Sequence, residues 1–190
     1  MQKPNNWDNV QAAGTRSKLP AGGYVIKVQK AEIIRADSGF EYLDLTIEIC
    51  EGQFKDYYTQ DYNDQTNEPK RYKGHFRQGT PQPGMKDDDF VLRGFKGMVT
   101  AFEESNPGYT WDWNEQSLVG KVCGCLFRNE EYDYNGFQGF TARPWRMTSA
   151  DKIRSGQFQT PKDKRLDQGD ETNGTSSITF EEIKDEEIPF

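Results

Sequence analysis

Lys70, Arg71, Lys73 and Arg77 place four permanent positive charges within eight residues, with Tyr72 and Phe76 interleaved among them. Cations at that density can neutralise successive phosphates, and aromatic faces between them can stack planar bases at ~1–3 kcal/mol per base. The chemistry that fits this spacing is the holding of a flexible polyanion, with no bond broken. Tyr58 and Tyr62, four residues apart, offer further rings upstream. Arg143 and Trp145 would share one face of an extended strand, where one could pair a phosphate and the other stack a base; Lys121 and Arg146 add charge nearby. The bland readings stand beside these: a solvated basic loop whose aromatics anchor it to a core, and a tryptophan packed under a rim with its arginine reaching outward.

Catalytic constellations are missing from the chain. His75 is the single histidine, and no glycine-rich phosphate loop or nucleophile elbow occurs. Asp87, Asp88 and Asp89 invite a magnesium-dependent nuclease, but successive carboxylates on an extended chain point alternately apart. Just before a helix they better supply an N-cap and favourable dipole charge. Cys50, Cys123 and Cys125 include no CxxC pair to join His75 in a zinc site; Cys123 and Cys125, two apart, read as small core residues on one strand face. The expectation is a binding protein without enzymatic activity, cofactor or metal.

The C-terminal stretch differs from the rest in composition. Residues 161–190 hold 4 Lys+Arg against 9 Asp+Glu, whereas residues 1–160 hold 20 against 22, so the body is nearly neutral and can carry a local basic groove. Between 161 and 177 Leu166 is the one sizeable apolar residue, too little to offset the entropy of ordering, and the segment reads as a disordered linker. Then come Asp185, Glu186, Glu187, Ile188, Pro189 and Phe190: a negative field followed by an apolar anchor, suited to a basic pocket on another protein. This tip resembles that of bacterial single-stranded-DNA-binding proteins, which end in a short acidic stretch and the same Ile-Pro-Phe. The resemblance implies recruitment of replication, recombination or repair proteins to coated DNA.

The elements that must position these side chains read mostly as strands. Tyr24, Ile26 and Val28 alternate with polar residues over 23–34, and Leu43, Leu45, Ile47 and Ile49 alternate with Tyr42, Asp44, Thr46 and Glu48. A tyrosine-rich third strand is expected over 54–62, which would complete a meander. A long irregular connection follows and carries the basic segment. Helical spacing begins at Phe90, with Phe95, Met98 or Val99, and Phe102 on one face, and stops at Ser105-Asn106-Pro107-Gly108. Two strands, 118–128 and 137–147, are joined through a loop holding Asn135-Gly136, and a short helix over 149–155 closes the domain. Trp111 and Trp113 read as a core cap beside the helix end.

Three meandering strands, one main helix and a hairpin follow the order of an OB-fold, a five-stranded barrel that commonly holds oligonucleotides. The predicted organisation is mainly β: an extension over 1–18, an OB-fold-like domain over 19–158, a linker over 159–177 and the acidic tip over 178–190. Residues 19–28 (LPAGGYVIKV), 51–62 (EGQFKDYYTQDY) and 94–113 (GFKGMVTAFEESNPGYTWDW) also resemble a family of phage-encoded replication-module proteins that bind single-stranded DNA. The resemblance covers most of 19–158 and implies a protein that coats single-stranded DNA without sequence preference. A protein-only adaptor of a replication complex is the alternative, and self-association into a homo-oligomer is compatible with either. No apolar run approaches the ~20 residues of a membrane span. The N-terminus lacks a signal peptide's apolar stretch, so the expected location is the cytoplasm of a bacterial host.

Overall fold

The computed structural model describes residues 3, 17–37, 39–87 and 89–166. Among these, five strands form one antiparallel sheet: β1 (Gly22–Arg35), β2 (Glu41–Ile49), β3 (His75–Gly79), β4 (Val122–Tyr134) and β5 (Phe137–Thr148). Their order is β3-β2-β1-β4-β5. Helices α1 (Tyr57–Asp64), α2 (Phe90–Ser105) and α3 (Ala150–Arg154) and a 3₁₀ turn at Glu115–Leu118 complete the elements. The sheet is not closed as a barrel, and the expectation of closure is corrected here. β3 and β5 approach each other but remain unpaired edges among the described residues.

The core follows the alternation. Ile26 of β1 lies opposite Ile49 on one side and Cys123 on the other, and Leu43, Leu45, Ile47 and Ile49 are fully buried. Onto them α2 lays Phe95, Met98, Val99 and Phe102, each buried side chain worth ~1.5–3 kcal/mol. Asp89 caps this helix, its carboxylate accepting from the Val91 and Leu92 amides at 2.8 and 3.3 Å. Cys123 and Cys125 are free, buried thiols. Burial pushes Cys123 up to about 12 and Cys125 well upward, so both stay protonated packing groups.

The third strand is not where tyrosine content places it. Residues 54–62 turn into α1, and the edge strand is His75–Gly79, inside the stretch expected to be irregular. The reason is a buried carboxylate on the neighbouring strand. Glu48 Oε1 accepts from the Tyr58 amide at 3.0 Å and Oε2 from the Thr59 amide at 2.6 Å, satisfying the first turn of α1 where Asp56 supplies no side-chain cap. Gly74 then lets the chain pass close to β2, since a Cβ there would collide with the Ile47 carbonyl and the Tyr58 ring. The second face of β2 is therefore covered too, and Tyr42, Asp44 and Glu48 are buried.

β4 runs past its expected end to Tyr134. Asn135 and Gly136, at φ 51° and 82°, make a two-residue turn of the primed kind. β1 leaves β4 at Phe127, so from Arg128 onward β4 and β5 project as a two-stranded ribbon. The side of β4 that β1 vacates is occupied: the Lys164 amide donates to the Asn129 carbonyl at 2.8 Å, and the Glu131 amide donates to the Lys164 carbonyl at 2.9 Å. The start of the expected linker is thus strapped to the sheet. Residues 167–190, including the tip from Asp185 to Phe190, lie outside the described residues, as does most of 1–16. Trp111 packs edge-on against Phe95 as expected, whereas Trp113 stacks on Phe95 but is 73% exposed, at φ 62°. No helix among the described residues is long and apolar enough to cross a membrane.

Candidate nucleic-acid interface

The basic segment is anchored more than displayed. Its Lys70–Gly74 part loops over the outer face of β2, and His75, Phe76 and Arg77 are strand residues. Phe76 and Tyr58 are buried, so neither can stack a base, which corrects both expectations. The Tyr72 hydroxyl donates to Glu48 Oε2 at 3.0 Å and reaches the Ile47 carbonyl at 3.2 Å. Burial, then the Glu48 charge, pushes that phenol upward and keeps it a donor. Tyr62 is the exposed ring of this group, with Lys70 Nζ 5.8 Å from its centre. Gln65 clamps the Arg71 backbone from both sides, its Oε1 accepting from the amide at 2.8 Å and its Nε2 donating to the carbonyl at 2.7 Å.

Lys73 and Arg77 face carboxylates. Lys73 pairs with Asp61 at 3.2 Å, and Arg77 Nε donates to Asp44 Oδ2 at 3.3 Å while lying 5.7 Å from the Tyr42 ring. His75 Nδ1 donates to the other Asp44 oxygen at 2.9 Å, and its Nε2 faces the Tyr72 carbonyl at 3.1 Å. Burial opposes the Asp44 charge, yet the hydrogen bonds and charges of His75 and Arg77 outweigh it and hold the carboxyl below its usual range.

The ribbon presents a different surface. Arg128 and Arg143 sit opposite each other in the ladder, on the face away from core-lining Phe127. A bulge leaves Trp145 between the pairs Phe127–Pro144 and Leu126–Arg146. It thereby brings Arg146 within 4.5 Å of the Trp145 ring centre, a contact that strand alternation forbids to neighbours; Arg128 lies 5.5 Å from the same ring. Arg128 and Arg143 both face Glu130, at 2.9 and 3.7 Å. Towards the tip, Tyr132, Tyr134, Phe137 and Phe140 are all exposed, Phe137 at 75%. Tyr132 lies across Gly139, where a Cβ would stand 2.8 Å from its hydroxyl.

Arg143, Trp145 and Arg146 are therefore brought together as expected in part, with Arg128 as an unforeseen fourth member. Lys121 joins neither group; its ammonium sits 4.7 Å over the Tyr109 ring. The four ribbon aromatics were not among the expected site residues. Their signal in the sequence is the cluster of rings immediately around Asn135-Gly136. No family model matches this chain, and no curated protein is similar to it.

Proposed function

We propose that this protein binds single-stranded DNA without sequence preference, as part of a phage replication or recombination module. The observation that carries the reading is the ribbon face, where Tyr132, Tyr134 and Phe137 continue into Arg143, opposite Arg128, and into Trp145, which has Arg128 and Arg146 against its ring. Rings with open faces beside guanidinium groups offer stacking and phosphate contacts to bases that are free of a partner strand. Duplex DNA keeps its base faces stacked and offers its phosphates alone. Tyr62, Lys70 and Arg71 extend the surface across α1 and the loop before β3. The order β3-β2-β1-β4-β5, with α2 between β3 and β4, also supports the reading, because it is the order of an OB-fold opened between β3 and β5.

The acidic tip from Asp185 to Phe190 adds a recruiting hook for replication, recombination or repair proteins. Ile188 and Phe190 supply ~1.5–3 kcal/mol each when buried in a partner, less the cost of ordering the segment. Deleting Phe190 should abolish pull-down of such a partner while leaving DNA affinity intact.

A protein-only adaptor is the second reading, favoured by Glu130, Glu131 and Asp133 among the ribbon aromatics, since these carboxylates repel phosphates. Titration of fluorescent poly-dT and of a duplex at two salt concentrations separates the two. Poly-dT binding that is tighter than duplex binding and weakens steeply with salt supports DNA binding. Equal affinity for duplex, or no binding at low salt, overturns it.

A further inference from the structure

Between α1 and the β5 edge, where the sheet stays open, lies a cleft of about 220 Å³. Tyr57, Tyr132 and Phe140 provide its aromatic walls, Lys18 and Lys73 its cations, and Asp61 its one carboxylate. We propose that this cleft receives a single unstacked nucleobase from the bound strand; the proposal rests on the single-stranded-DNA reading and deepens it.

Size decides the class of occupant. Drug-sized sites run to ~300–1,000 Å³, so this smaller cleft takes one ring system and has no room for a peptide strand or helix. Its walls decide the chemistry. Phe140 and Tyr132 are 38% and 39% exposed, and that exposed ring surface borders the cleft from the ribbon side. β5 is a sheet edge whose Thr141 and Ala142 line the cleft, and the backbone donors and acceptors that point away from β4 can serve any base edge without specifying which. Lys73, held 3.2 Å from Asp61, and Lys18 stand where phosphates flanking an inserted base would pass. The cleft also joins the two candidate surfaces, because Lys73 comes from the basic segment and Tyr132 from the ribbon. One inserted base would set the register of a strand crossing both.

The test is an abasic scan with the full-length protein. In the shortest tightly bound oligo-dT, one base at a time is removed while its sugar and phosphate remain. Loss of about fivefold or more in affinity at one position, with smaller losses elsewhere, is expected, since one stacked base contributes ~1 kcal/mol or more. Phe140→Leu and, separately, Tyr132→Leu should flatten that position dependence and leave the salt slope unchanged. Equal loss at every position, or a peak that survives both substitutions, overturns the cleft while the binding reading stands. Failure of the intact oligonucleotide to bind at low salt overturns both.

Discussion

The segment from Lys70 to Arg77 and the β4–β5 ribbon contain similar residues put to opposite uses. In the first, Phe76 and Tyr58 are core, Tyr72 is tied to Glu48, and Lys73 and Arg77 face Asp61 and Asp44. In the second, four aromatics near the turn are exposed, Arg128 and Arg146 lie against one tryptophan, and Arg143 stands opposite Arg128 beside Glu130. Composition therefore says which groups could meet a ligand; pairing and burial say which are left to do so. A basic and aromatic run packed over the buried polar face of β2 is consumed by the fold, whereas the same residues beyond the last paired neighbour strand remain available.

The largest effect should come from the ribbon. Tyr132→Ala with Phe137→Ala removes two stacking faces, and affinity for poly-dT should fall at least ~30-fold with the melting temperature nearly unchanged. Unaltered affinity would break the comparison at its root. Glu48→Ala should do the reverse, because it strands the Tyr58 and Thr59 amides at the start of α1, the buried one at ~1–3 kcal/mol, and leaves the Tyr72 hydroxyl with the Ile47 carbonyl alone. Calorimetry should show a drop of several degrees, and a variant as stable as the parent would refute the role given to this carboxylate.

Smaller shifts sharpen the contrast. Removing Arg71, Lys73 and Arg77 together should lower the salt slope of binding by no more than ~2 units, at ~0.7 per phosphate; an unchanged slope would assign the phosphate path wholly to the ribbon. Asp44 is held below its unfolded value, so the stability it contributes is present above the ordinary carboxylate range near ~4 and is lost as pH falls through the lower folded value. Thermal melts should weaken on that acid limb, and Asp44→Asn should flatten it. Least of all, truncation after Leu166 should raise DNA affinity modestly at low salt, where the acidic segment competes for the cations, and change nothing at high salt. Weaker binding at every salt would make that segment part of the site.

What the sequence made legible follows from how local each signal is. The alternation of Leu43, Leu45, Ile47 and Ile49, the helical spacing of Phe95, Val99 and Phe102, the Asp89 cap and the Asn135-Gly136 turn are all written within a few residues, and each stands in the fold. The third strand was misplaced because two signals conflict. Tyrosines favour strands, yet Phe54, Tyr57, Tyr58 and Tyr62 also recur at helical spacing, and the arbiter is Glu48 on another element. His75–Gly79 is short, and its partner residues are 29 to 37 positions away in the chain, too far for any local pattern to announce. The site divides the same way. Arg143, Trp145 and Arg146 were visible as types and spacing, while the bulge that gathers Arg146 onto the tryptophan depends on a register set by β4.

The strap at Lys164 has a bearing on colloidal behaviour. A projecting ribbon with bare backbone along one side and exposed rings at its tip is a template onto which a second ribbon can zip. Residues around Lys164 fill that side at Asn129 and Glu131, so the β4 side of the ribbon is shielded from such pairing. A cut before residue 160 would remove that shield along with the tail. The turbid or oversized particles that followed would then reflect an unprotected strand rather than the loss of an acidic hook.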